Sequence, residues 1–105
     1  MPTILLIDDE EKLRSLLARL ISLEGFEVVQ AGDGKTATRK LDLQEFEAVL
    51  CDVKLPDGNG VELVSVIKQK QPQAEVILLT AFGNIPDGVQ AIKNGAFDYI
   101  VKGDD

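Results

Sequence analysis

"AVLCDVKLPDGNG", residues 48–60, sets the reading of the whole chain. An apolar run from Ala48 to Cys51 ends on one carboxylate, Asp52, and the loop behind it carries Pro56, Gly58 and Gly60. The run has the length of a strand, and its unbroken apolar character is that of a strand covered on both faces. An acid closing such a strand is costly unless a cation or hydrogen bonds compensate it. The rest of the chain must supply that compensation, or Asp52 is only a turn residue. Asp57, directly before Gly58, has the better claim to the turn.

Outward from this stretch the same unit repeats. "TILLI" (3–7), "FEVVQA" (26–31), "EVILLTA" (75–81) and "FDYIV" (97–101) read as further strands. Between them lie helical spacings. Leu13, Leu16, Leu17, Leu20 and Ile21 form the first, closed by Gly25. Ala37 and Leu41 form the second, behind Asp33 as N-cap. Val61, Val64 and Ile67 form the third, followed by Pro72. Val89 and Ile92 form the fourth, opened by Pro86 and ended near Gly95. Alternating strands and helices predict one open α/β sheet with right-handed crossovers. Ligands of such sheets sit outside the carboxyl ends of the strands.

Composition narrows the function. The 105 residues suit one domain, with 45% hydrophobic and 28% charged residues. Eighteen acids against eleven bases give a net charge of −7, which argues against nucleic-acid binding and suits a cation. The chain holds no histidine, so histidine general-base catalysis, metal ligation and phosphohistidine carriage are excluded within it. The single Cys51 cannot form an internal disulfide and reads as a small core residue. The apolar runs are too short to span a membrane and the start lacks a signal peptide, so a cytoplasmic protein is expected. "GDGKT" ends like a phosphate-binding P-loop, but Val29 stands where its first glycine belongs. "DGNG" fails as a calcium hand, because Lys54 and Pro56 occupy ligand positions.

The strand ends carry the chemistry. After the first strand come Asp8, Asp9, Glu10 and Glu11, after the third Asp52, after the fourth Thr80, and after the fifth Lys102. Singly, each has an ordinary explanation. Asp8 and Asp9 can cap a helix, Thr80 can end a strand, and Lys102 can be a solvated lysine. Glu10 and Glu11 are assigned to capping and solvent. Together they are harder to dismiss. Three carboxylates converging from two neighbouring strand ends cannot all ionise without a cation. Hard oxygen donors with open positions suit Mg²⁺. With an ammonium and a hydroxyl added, the set can stabilise charge in phosphoryl transfer.

The set "LLIDDEE", "AVLCDVKLPDGNGVEL", "VILLTAFG" and "GAFDYIVK" resembles the receiver domain of bacterial two-component response regulators, over nearly the whole chain. The segment "GNIPDGVQAIKNGAFDYIVK" is most similar to receivers of enhancer-binding transcription activators. The resemblance implies a flavodoxin-like, doubly wound five-stranded parallel sheet of order 2-1-3-4-5. It implies Asp52 as phosphoacceptor for a sensor histidine kinase or small phosphodonor. Asp9 would ligate Mg²⁺ directly and Asp8 through water, with Asp52 and the backbone carbonyl of Lys54 completing the protein ligands. Thr80 would be the switch hydroxyl, the Ala81 N–H a further phosphoryl donor, Lys102 the phosphate-pairing lysine, and Tyr99 the aromatic that turns inward. Lys54 and Phe82 stand where the family tunes phosphoryl lifetime.

Two departures shape the remaining expectations. Gly103 follows Lys102 where the family has proline. The chain stops at Asp105, just after the fifth strand, where receivers add a fifth helix. Residues 1–105 are therefore expected to be a C-terminally truncated receiver without its output domain. Its uncovered sheet face would lie open or be covered by a second copy, as a homodimer. The expected function is a phosphorylation-dependent switch, not an enzyme turning over an external substrate. The alternatives are an aspartate-nucleophile phosphohydrolase, disfavoured because no acid with a clear acid/base role stands two residues after either candidate nucleophile, and an inactive interaction module.

Overall fold

The computed structural model describes residues 1–80 and 85–102. Strands form where the apolar runs lie: β1 (Thr3–Ile7), β2 (Glu27–Ala31), β3 (Ala48–Asp52), β6 (Glu75–Thr80) and β7 (Asp98–Val101). The stripes between them are α1 (Glu11–Leu23), α2 (Gly34–Leu43), α3 (Gly60–Lys70) and α4 (Ile85–Lys93). The five strands pair in the order β2-β1-β3-β6-β7, all parallel. That is the order 2-1-3-4-5 among the strands expected from sequence.

A feature the sequence reading treated as plain loop is a small antiparallel hairpin, β4 (Lys54–Leu55) with β5 (Gly58–Asn59). Leu55 pairs with Gly58 across Pro56 and Asp57. Proline at the second position and glycine at the fourth are the signature of a tight turn.

The pleat divides the core. Leu5, Ile7, Val49, Cys51, Val76 and Leu78 face α2, α3 and α4. Leu6 and Leu79 face the opposite way, against Ala18 of α1. This second face is thinly covered: Leu50 and Val28 are only partly buried there. The first helix also packs less deeply than its leucine stripe predicts, with Leu16 53% and Leu20 50% exposed. Leu13, Leu17 and Ile21 are half-buried, and Ala18 is buried.

Helix ends follow local chemistry. Asp33 caps α2, accepting from Thr36 N at 2.6 Å. Asn59 caps α3, accepting from Val61 N at 2.7 Å. Gly25, just past α1, takes φ +97°, which a side chain would strain. Glu10 departs from its expected role. It stands at the N-cap of α1 but its side chain makes no capping bond. The Asp8 carboxylate does that work, accepting from Glu10 N at 2.9 Å.

The topology fixes where a site can form. From β1 the chain crosses to β2 on one side, and β3 then lies on the other. The loops leaving β1 and β3 therefore diverge, opening a crevice at their carboxyl ends.

Candidate functional site

Asp8 and Asp52 sit at that crevice because the strand register brings them there. Ile7 pairs with Cys51, so the residue after each is an aspartate on a neighbouring strand. Asp8 is fully buried, Asp52 is buried, and Asp9 is exposed at the mouth. One carboxylate oxygen from each lies within 4.8 Å of the others. Asp52 Oδ1 accepts from Val53 N at 2.9 Å, and Oδ2 from Lys102 Nζ at 3.0 Å. The same ammonium stands 3.4 Å from Asp8 Oδ2.

Asp8 Oδ2 is buried and accepts no hydrogen bond. A buried carboxylate oxygen without a hydrogen-bond donor carries a desolvation cost, which the Lys102 ammonium at 3.4 Å offsets in part. A divalent cation at the focus of the three acids would remove it, and the all-oxygen donor set fits Mg²⁺. Lys54 opens β4 two residues beyond Asp52, with its side chain exposed to solvent.

Lys102 reaches this site through strand pairing. Thr80 pairs with Val101, and Lys102 N donates to Thr80 O at 2.7 Å. The strand end thus places the lysine in contact with Asp52. Thr80 itself is fully buried, one residue past the Leu79 that pairs with Asp52. Tyr99 is half-buried on β7, packed against the main core. Ala81, Phe82 and Gly103 lie outside the described residues.

The electrostatics follow from crowding acids in a dry place. Burial pushes the Asp52 carboxyl above its ordinary pKa; Lys102 pulls it back in part, and Asp8 adds to the rise. Burial opposes charge on Lys102 too, but its pairing with Asp52 and Asp8 outweighs that, and its pKa is raised. Burial, then Asp52 and Asp8, push the Cys51 thiol up to about 12. Cys51 is thus a protonated core residue rather than a reactive thiolate.

Three supporting residues escaped the sequence reading. Arg14 of α1 donates from Nη1 to the Asp8 carbonyl at 2.8 Å and from Nε to Gln30 Oε1 at 3.0 Å, fixing the end of β1. Gly60 opens α3 against the Asp52 backbone; an added Cβ would overlap the Asp52 carbonyl oxygen. Asp57, read as a turn acid, reaches from the hairpin tip to the start of α2. Its two oxygens accept from Gly34 N at 2.8 Å and Lys35 N at 2.9 Å. With Asp33 serving Thr36 and Ala37, all four leading N–H groups of α2 are satisfied. Asp57→Ala is expected to cost about 1 kcal/mol, the usual worth of a lost cap. Urea melts would register it as a lower midpoint at unchanged slope, and an unchanged midpoint would contradict it.

The family model of the response regulator receiver domain matches residues 4–105. The chain belongs to that family. Among curated relatives, this receiver domain is 38% identical over 98 residues to the response regulator protein PilR of Pseudomonas aeruginosa, covering 93% of the chain and 22% of PilR. It is 41% identical over 102 residues to the transcriptional regulatory protein CpxR of Escherichia coli, covering 97% of the chain and 43% of CpxR. The receiver domain thus spans less than half the length of these relatives. In structure it is similar to a response regulator of Burkholderia pseudomallei solved with a phosphorylated aspartate, a calcium ion and citrate. That likeness has a TM-score of 0.93 and 31% identity, covering 100% of this chain and 62% of that one. It is also similar to TrrA of Thermotoga maritima in complex with Mg²⁺–BeF, with a TM-score of 0.87 and 32% identity, covering 98% and 88%. Among the described residues, no helix is long and apolar enough to cross a membrane.

Proposed function

We propose that this receiver domain is a switch whose Asp52 accepts a phosphoryl group from a sensor histidine kinase. The observation that carries the reading is Asp52 itself, a buried carboxylate facing Lys102 at 3.0 Å beside the unsatisfied Asp8 oxygen. A carboxylate oxygen of Asp52 attacks phosphorus while the P–N bond of the donor phosphohistidine breaks. The electron pair leaves with the imidazole nitrogen, which takes up a proton. Asp9, Asp8, Asp52 and the Lys54 carbonyl would hold Mg²⁺, which supplies charge neutralisation for the crowded acids and the incoming phosphoryl oxygens. Lys102 pairs with a phosphoryl oxygen once Asp52 carries the acyl phosphate. Thr80 supplies a hydroxyl donor on the neighbouring strand, and the Ala81 N–H is the further phosphoryl donor the family resemblance implies. The movement of Thr80, matched by Tyr99 on β7, carries the change to the α4 side as a population shift.

The domain acts on its own side chain and is not an enzyme that turns over an external substrate. Regulation of transcription through an attached output domain is part of the proposal, supported by the similarity to the transcriptional regulatory protein CpxR. With acetyl phosphate and Mg²⁺ the protein should gain one phosphoryl mass on Asp52, and EDTA should prevent it. No gain on the wild type would overturn the proposal. Steady phosphate release from unrelated esters would instead mark a phosphohydrolase.

A further inference from the structure

One helix of this domain accepts a residue that weakens it. Gly88 lies inside α4, where glycine costs about 1 kcal/mol relative to alanine. It is buried, as is Ala91 one turn further along. A Cβ at Gly88 would stand 2.6 Å from Tyr99 Cγ and 2.7 Å from both Cδ atoms. Such near-equal distances place it over the face of the ring. These atoms are the root of the ring, so no adjustment at the free end of the side chain relieves the overlap. The ring of Tyr99 therefore lies flat on the backbone of α4, in space that any side chain would occupy. From β7, Tyr99 also pairs in register with Leu78 of β6, two residues before Thr80. The ring is thus one contact, beside that of Ala91, between the helix and the strands that lead to Thr80 and Lys102.

We propose that Gly88 is a positioning residue for Tyr99. The absent side chain forms a berth for the ring on α4, and occupancy of the berth sets the spacing between α4 and β7. A ring that leaves the berth removes one packing partner of α4 on the β7 side, so ring orientation and helix position are coupled. The packing claim stands by itself, whereas its regulatory consequence rests on the phosphoacceptor reading of Asp52.

The chain has one tyrosine and no tryptophan, so intrinsic emission reports Tyr99 alone. The test is a double-mutant cycle read by urea unfolding, with emission and its quenching by acrylamide as a second readout. In a Tyr99→Ala background, Gly88→Ala should raise the folding equilibrium constant about fivefold, through helix propensity alone. In the wild-type background the same substitution should lower it, and acrylamide quenching of Tyr99 should increase. A rise of equal size in both backgrounds would overturn the proposal. Beryllofluoride with Mg²⁺ supplies the second arm, with ¹⁹F NMR recording whether the adduct forms. Quenching of Tyr99 should change with the adduct in the wild type and stay constant in Gly88→Ala. An adduct to which both proteins respond alike would overturn the regulatory role. Absence of an adduct in the wild type would defeat the phosphoacceptor reading instead, while the cycle would still decide the role of Gly88.

Discussion

Asp52→Asn is expected to abolish phosphorylation by acetyl phosphate and to raise the melting temperature of the metal-free protein. The two effects have one cause. Asp52 is buried beside Asp8, and Lys102 offsets only part of the cost of its charge, so its folded pKa lies above the unfolded value. As pH climbs past the unfolded value, the unfolded chain releases its proton first, and stability falls until the folded carboxyl ionises too. Above both values that penalty is fully present. Asparagine keeps the shape and an acceptor for Lys102 but carries no charge, so the penalty disappears. It also lacks the nucleophilic oxygen, so the phosphoryl mass is lost completely. Added Mg²⁺ reverses the order of stability. A ligand at a hundredfold excess over its dissociation constant stabilises by about 2.7 kcal/mol, and the wild type should gain more of this than the variant. Melting both proteins in EDTA and in Mg²⁺ measures it, and a lower metal-free midpoint for the variant would refute the electrostatic account.

The largest loss of stability is expected from Gly60→Ala. Gly60 N donates to Val53 O at 2.7 Å, drawing the first turn of α3 onto the end of β3. The added methyl would overlap the Asp52 carbonyl oxygen and approach its carbon at 2.9 Å and Cys51 Sγ at 3.1 Å. The clash is with backbone of a central strand, not with the end of a flexible side chain. Relief requires moving α3 or the strand that presents Asp52. Overpacking of this kind costs about 3 kcal/mol or more. For a domain of this size that corresponds to a fall of about 12 °C or more. A shift below about 4 °C would show that the α3 junction yields more easily than the packing implies. Where the strand end yields, the rate of phosphorylation per folded molecule should fall as well.

Much of this was legible in the sequence because the fold writes its site at strand ends. Asp8, Asp52, Thr80 and Lys102 each stand at the end of an apolar run. Parallel strands bring such ends to one edge, so linear order was enough to predict the convergence. Asp33 likewise announced its own helix, since a cap acts three residues away. Other contacts left no such trace. Asp57 serves amides 22 and 23 residues distant, a pairing that no local spacing encodes. The leucines of α1 gave a correct helix but not its depth. Leu16 and Leu20 share the period of the buried face, and only the seating of the helix on the sheet leaves them half exposed.

The sequence by itself determined the order of the helices and of the strands of the parallel sheet, the acids and the lysine of the candidate site, and the absence of histidine chemistry. Those features follow from hydrophobic period and from residue type at chain positions, which are local properties. The tertiary structure decided which glycines are obligatory and which charges are compensated. Gly60 and Gly88 are defined by what lies across from them, the Asp52 carbonyl and the Tyr99 ring. The unsatisfied oxygen of Asp8 exists only once β1 and β3 are paired and water is excluded. Desolvation and close approach are properties of the packed molecule, so they could be measured only there.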